Sequence, residues 1–174
     1  MTDAGGTAAP PNEARVVVYP SKALRPIPSF MFAVPAGWVV DDAPDCLAVV
    51  HTPEQVDGFW VNATISHDRV AAAVDLETAA KATWARLSRE APNAKISMER
   101  VARFGDNVTY MRGIEIQAPQ SGRDLAQLQA LMLAPSEDGA KTKDFFQIIC
   151  TCPPDVIAGM GPVFVALISS FQFA

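Results

Sequence analysis

Two turn sequences govern the second half of this chain. Phe104-Gly-Asp-Asn107 separates the extended pieces Ile96 to Arg103 and Thr109 to Gln117, and Ser136-Glu-Asp-Gly139 separates Leu125 to Ala134 from Phe145 to Thr151. Glycine beside Asp or Asn reverses an extended chain tightly, so these segments are expected to pair antiparallel with their neighbours. One segment resists. Leu, Ala, Gln and Met favour helix, and Leu125, Leu128 and Met132 fit a helical stripe. The following turn and the alternation of Phe146, Ile148 and Cys150 argue for a strand, because a hairpin explains both halves.

The first half carries a similar code. Phe30, Phe32 and Val34 alternate before Pro35 and Gly37 break the pattern, Trp38 opens another extended piece, and Leu47 to Val50 is a short apolar run. Along Trp60 to His67, Val61, Ala63 and Ile65 share one face, while Trp60, Asn62, Thr64 and Ser66 share the other. Asp75 is placed to cap a helix whose stripe Leu76, Ala80, Trp84, Leu87 and Ala91 repeats at three- and four-residue steps up to Pro92. Glu77/Lys81 and Arg86/Glu90 stand four apart on its wet side. Pro153-Pro154-Asp155 starts a last helix with Val156, Met160, Val163, Phe164 and Leu167 as its apolar stripe, and Gly159, Gly161 and Pro162 are expected to kink or split it. Phe171 and Phe173 suit a short closing strand. The order is three strands, a helix, four strands and a helix, which predicts an α+β fold with a central antiparallel sheet flanked by helices.

The 174 residues suit a single domain, expected over 25–174 behind a mobile N-terminal tail at 1–24. With 49% apolar and 19% charged residues the composition is that of a globular protein, and no apolar run is long enough to span a membrane. The opening MTDAGGTAAPPNEAR lacks the basic start and apolar stretch of a secretory signal, which predicts a cytoplasmic location. Cys46, Cys150 and Cys152 are then free thiols, the last two acting as small core residues. Fourteen basic against nineteen acidic side chains give a net charge of −5, a poor balance for nucleic acid.

Motifs of known chemistry are missing. His51, His67, Asp68 and Cys46 match no metal-ligand spacing, and no metal site or cofactor is expected. Ser66-His67-Asp68 looks like a triad on paper, but neighbouring strand residues point to opposite faces. Nor is there a nucleophile elbow, a phosphate-cradling glycine loop or a zinc-protease motif. Glu99 and Glu115 do not make a supported acid–base pair.

The remaining signal is uneven charge. Trp38 to Gly58 holds five acids, Asp41, Asp42, Asp45, Glu54 and Asp57, and no Lys or Arg; Lys81 to Arg112 holds seven bases against three acids. If a partner is recognised by charge, Arg86, Arg89, Arg100, Arg103 and Arg112 are the candidates, although Arg100 and Arg103 cannot both share a face with Arg112. The acidic stretch of a second copy would suit them as well as another protein would. Otherwise the contact falls to apolar groups such as Phe59 and Trp60.

The layout also resembles a known family. Pro-Ser-Phe-Met-Phe-Ala-Val-Pro-Ala-Gly-Trp38 is similar to the first strand of PsbP-like domains. The pieces Phe59 to Ile65, the helix around Trp84, Leu125-Ala-Gln127, Asp144 to Ile149 and the closing helix near Phe171 follow in the same order. This superfamily takes in photosystem PsbP proteins, the Ran-binding Mog protein and actinobacterial LpqN-type proteins, and the chain looks nearest to the last. The resemblance implies an α/β/α sandwich used for binding rather than catalysis, and a strand at Leu125 to Ala134. It transfers no functional residue, and the lipidated, exported start of LpqN-type proteins has no counterpart here. The expected function is a non-catalytic module that contacts another protein or a second copy of itself. A carrier of a small apolar or lipid-like ligand, held between the sheet and the last helix, is the alternative; a dispersed enzyme site ranks third.

Overall fold

A computed structural model describes residues 18–21 and 24–174. Its centre is a seven-stranded sheet, every neighbouring pair antiparallel, in the order β2-β3-β4-β8-β7-β6-β5. The strands are β2 (Val39–Asp41), β3 (Ala48–His51), β4 (Asn62–Ala71), β5 (Lys95–Phe104), β6 (Asn107–Gln117), β7 (Asp124–Leu133) and β8 (Thr142–Cys152). A separate two-stranded ribbon joins β1 (Phe30–Met31) to β9 (Gln172–Phe173), tying the two ends of the described chain together. Phe171 is thus buried at the end of a helix, and only Phe173 belongs to the closing strand.

Leu125 to Ala134 forms strand rather than helix over nearly its whole length. The register Leu128↔Cys150 and Met132↔Phe146 shows why tertiary pairing wins over propensity. As a central strand between β6 and β8, β7 buries apolar side chains on both faces, which a one-sided helix could not do.

The two helices cover opposite faces. α1 (Leu76–Glu90) is capped by Asp75, whose Oδ1 accepts from the Thr78 N–H at 2.7 Å. Its residues Ala79 and Ala80 pack on Leu131 and Phe145, and Trp84 and Leu87 pack with Ile114, Ile116 and Leu125. Glu77 and Lys81 close an ion pair at 2.7 Å.

α2 (Ile157–Ser170) follows a short 3-10 turn at Pro154–Val156 and sets Phe164, Leu167 and Ile168 against Phe146, Ile148, Cys150 and Met111. Of the expected kink or split at Gly159–Pro162, the split does not occur, since α2 runs unbroken from Ile157 to Ser170. Pro162 is exposed in the second turn of α2, where its missing N–H deprives only the exposed Ala158 carbonyl of a partner, and solvent can replace it.

The sheet is wider than α1. On the face that α1 occupies, β2, β3 and the first part of β4 carry no helix, while Val70 near the end of β4 packs with Ala79 and Ala80, and this uncovered half positions the candidate site.

Candidate functional site

Strand parity decides what the uncovered half presents. Ala63 and Ile65 of β4 face α2 and are fully buried, so Asn62, Thr64, Ser66 and Asp68 face the other way. The register places Thr64 between Val49 and Ile149, Asn62 between His51 and Thr151, and Ser66 opposite Gln147. Gln129 lies beside Ile149 and Gln127 beside Thr151, which extends the polar rows towards α1. The floor therefore mixes hydroxyls and carboxamides, which donate and accept hydrogen bonds without net charge, with the apolar Val49 and Ile149 on either side of Thr64.

At the outer rim Trp60 is 43% exposed and meets the His51 ring edge-on at 5.0 Å between centroids. His51 Nδ1 lies 2.7 Å from the Thr52 carbonyl and Nε2 2.8 Å from Asp41 Oδ2. Both partners are acceptors, and only an imidazolium donates from both nitrogens. The His51 pKa is accordingly raised, first by the Thr52 carbonyl and then by Asp41, against a smaller opposing effect of desolvation. These residues wall a depression of about 490 Å³ with Asn62 and Thr64 at its base.

Towards α1 the same face deepens into a groove of about 380 Å³, lined by Val70, Phe145 and Gln147 from the sheet and Ala79 and Arg86 from the helix, with Asp68 also present. Both volumes lie within the usual range for ligand sites, though each is open to solvent.

Arg112 does not join a basic surface. It is 1% exposed beneath α1, where it donates to the Ala80 carbonyl at 3.2 Å, Thr83 Oγ1 at 3.1 Å and Gln129 Oε1 at 3.1 Å. Burial lowers its pKa, opposed by Glu99 at 4.0 Å. The sequence shows a charge at this position; it does not show that a helix lies over it. The other arginines are dispersed. Arg86 and Arg89 are exposed on α1, Arg103 shares the α1 side of the sheet with Arg112, and Arg100 projects to the α2 side. Phe59 is half-buried beneath the Arg123 guanidinium at 5.5 Å, leaving Trp60 as the exposed aromatic of that pair.

Sequence reasoning missed a second polar centre. Asp144 is 4% exposed, and its Oδ1 accepts from His67 Nε2 at 2.9 Å and Arg69 Nε at 3.0 Å, while Arg25 approaches Oδ2 at 3.7 Å. Arg69 also donates to the carbonyls of Arg25 and Pro26, so the cluster fastens the segment leading into β1. Desolvation would raise the Asp144 pKa, but the bonds from His67 and Arg69 outweigh it and hold the carboxyl below its ordinary value. His67 is thus turned away from Ser66 and Asp68, and the paper triad is not assembled. Among the described residues no group of three His, Cys, Asp or Glu is placed to hold a metal.

No sequence-family model matches the chain, and no curated protein matches it by sequence. Its backbone does match solved structures. The crystal structure of LpqN, involved in cell envelope biogenesis of Mycobacterium tuberculosis, superposes with a TM-score of 0.64 at 12% identity, covering 84% of each chain. The cyanobacterial PsbP protein CyanoP of Synechocystis gives 0.56 at 12% identity over 86% of this chain and 95% of its own. The chain has the PsbP-like fold. A Pseudomonas aeruginosa protein of unknown function also matches, with a TM-score of 0.54 at 10% identity over 76% of this chain and 94% of the other. At such identities the PsbP-like likeness fixes architecture and leaves function to the site itself. No helix here is long and apolar enough to cross a membrane, among the described residues.

Proposed function

We propose that this chain is a non-catalytic binding domain that contacts another protein through the helix-free half of its α1-side sheet face. The observation that carries the reading is Trp60, 43% exposed at the rim of a floor built from Asn62, Thr64, Ser66 and Gln147. An exposed indole beside neutral hydrogen-bonding groups is the composition of an interface centre, where aromatic anchors supply area and polar neighbours supply register. Arg86, on the groove wall, adds a cation that pairs with a partner carboxylate; Arg89, Arg100 and Arg103 lie outside this concavity. Both ring nitrogens of His51 are taken up by the Thr52 carbonyl and Asp41, which leaves neither free to exchange a proton with a bound molecule and favours binding over acid–base work at this rim.

A carrier of a small apolar ligand is the second reading, favoured by an apolar groove along the outer side of α2 beside Val34, Pro35, Pro162 and Val163. The space between the sheet and α2 is filled by Phe164, Leu167 and Ile168, none more than 1% exposed, so a ligand cannot lie there. Affinity capture with the wild type, Trp60→Ala and Thr64→Arg separates the readings, with native mass measurement of the purified chain alongside. A protein recovered by the wild type and lost from both variants at unchanged melting temperature is the expected result. Identical recoveries from all three would sink it, and a bound mass of lipid-like size would favour the carrier.

A further inference from the structure

β5 is an edge strand ten residues long, and among the described residues no strand pairs its outer side. Its turn to β6 has two residues, Gly105 and Asp106, with Gly105 at φ +58° and Phe104 opposite Asn107. Glycine at the first of two central positions marks a type II′ hairpin, in which the flanking pair, here Phe104 and Asn107, exchanges both backbone hydrogen bonds. Antiparallel pairs alternate from there, so Ala102 is also bonded to β6, while the N–H and C=O of Arg103, Val101 and Glu99 point away from the sheet. The only register shift lies between Ile96 and Met98, outside this stretch.

The three residues with free backbone groups also share one face, the α1 side. Val101 at their centre is 64% exposed, Glu99 is two residues before it and Arg103 two after. Glu99 uses Oε1 to accept from the Tyr110 hydroxyl at 2.8 Å, and Arg103 has no ion-pair partner among the described residues. We propose that β5 pairs antiparallel with β5 of a second copy about a two-fold axis at Val101, setting Glu99 of each chain opposite Arg103 of the other. In that register Val101 faces Val101, and the outward groups form about six backbone hydrogen bonds. On the other face Met98 meets Phe104 and Arg100 meets Ala102. The two Arg100 residues stand diagonally, at roughly 8 Å between Cα atoms, far enough for their long side chains to splay. A charged edge often prevents sheet-to-sheet pairing, but that device requires charges that clash with a second copy, and these are self-complementary. The pairing uses a different edge from the Trp60 face and does not rest on its role.

Sedimentation velocity of the full chain over a concentration series tests the proposal. The expected result is a reversible monomer–dimer equilibrium. Arg103→Glu, which sets like charges opposite each other, weakens it by roughly tenfold or more. Val101→Pro, which removes an outward N–H and no bond to β6, abolishes it. In a Cys46→Ser background, a short thiol cross-linker traps Val101→Cys as a dimer and leaves Val108→Cys monomeric; Val108 lies one strand further in and serves as an exposed control. Trp60→Ala leaves the dimer intact, so failure of the partner-binding reading is seen separately. A wild type that is monomeric at every concentration overturns the pairing. So does a dimer that survives Arg103→Glu, or one that Val101→Cys cannot trap, and the latter two readouts hold even if the proline variant fails to fold.

Discussion

The guanidinium carbon of Arg112 lies 5.3 Å from the centre of the Trp84 ring, so a strand cation and a helix indole stack in the layer between α1 and the sheet. Three hydrogen-bond acceptors surround the charge, yet its Nε has no partner, and the nearest carboxylate, on Glu99, is 4.0 Å away. A buried ion so placed depends heavily on the packing of its alkyl stem. Arg112→Ala is expected to lower stability by about 3 kcal/mol, through a cavity beside Trp84 and stranded acceptors. Arg112→Met keeps most of the stem contact and removes the desolvated charge, and should lose less than half as much. Urea denaturation of both variants measures this; equal losses would mean that the charge, and not the packing, dominates.

The fate of Arg112 also shows where sequence reasoning stops. Turns, parity and capping are local, and so the hairpins at Gly105 and Gly139, the Asp75 cap and the Val61-Ala63-Ile65 core face were all legible. Parity allowed only one of Arg100 and Arg103 to share a face with Arg112, and the β5–β6 register makes it Arg103. Which half of the sheet α1 covers is a long-range fact with no local signature, so the burial of Arg112 and the opening above Thr64 were hidden. A signal for the open face was nonetheless present: Asn62, Thr64 and Ser66 alternate as polar residues with the buried apolar Val61, Ala63 and Ile65, the pattern of a strand segment with one face away from the core. Asp144 was hidden because its partners Arg25, His67 and Arg69 are distant in sequence and meet it only through the β4–β8 register and the segment before β1.

The pair His51–Asp41 should make the β2 edge sensitive to pH. The folded pKa of His51 is raised above its ordinary value, so its contribution is fully present below the unfolded pKa and is lost as pH rises through the folded one. Ring-proton NMR should show His51 titrating higher in the wild type than in Asp41→Asn. An unchanged midpoint would mean that the Thr52 carbonyl alone sets the shift.

Asp144 behaves with the opposite sign. Its folded pKa is lowered, so the stability it provides is present above the ordinary carboxyl value and lost as pH falls through the folded value. Asp144→Asn should remove this acid-sensitive component, and Asp144→Ala should lower stability at neutral pH by about 2 kcal/mol, a figure reduced for the partial exposure of Arg69 and Arg25. Chemical denaturation across an acid series tests both. A wild-type acid transition that superposes on that of Asp144→Asn would remove Asp144 from the account.

The thiols give the sharpest test of the core. Cys150 and Cys152 alternate on the α2 side of β8 and are both fully buried, whereas Cys46 is half-exposed. Burial raises both buried thiols, Cys152 to about 11 with Asp155 adding to it, and Cys150 further, so neither forms appreciable thiolate near neutral pH. A thiolate-selective alkylating reagent should therefore modify one of the three cysteines in the native protein, Cys46, and all three after unfolding. Replacement by alanine is expected to lower stability by roughly 1 kcal/mol at either buried position, the loss typical of a modest core truncation. Peptide mapping after timed alkylation reads the first expectation and urea denaturation the second. Rapid native labelling at Cys152 would show that the start of α2 opens, and would place a reactive thiol beside Pro153 where the packing now allows none.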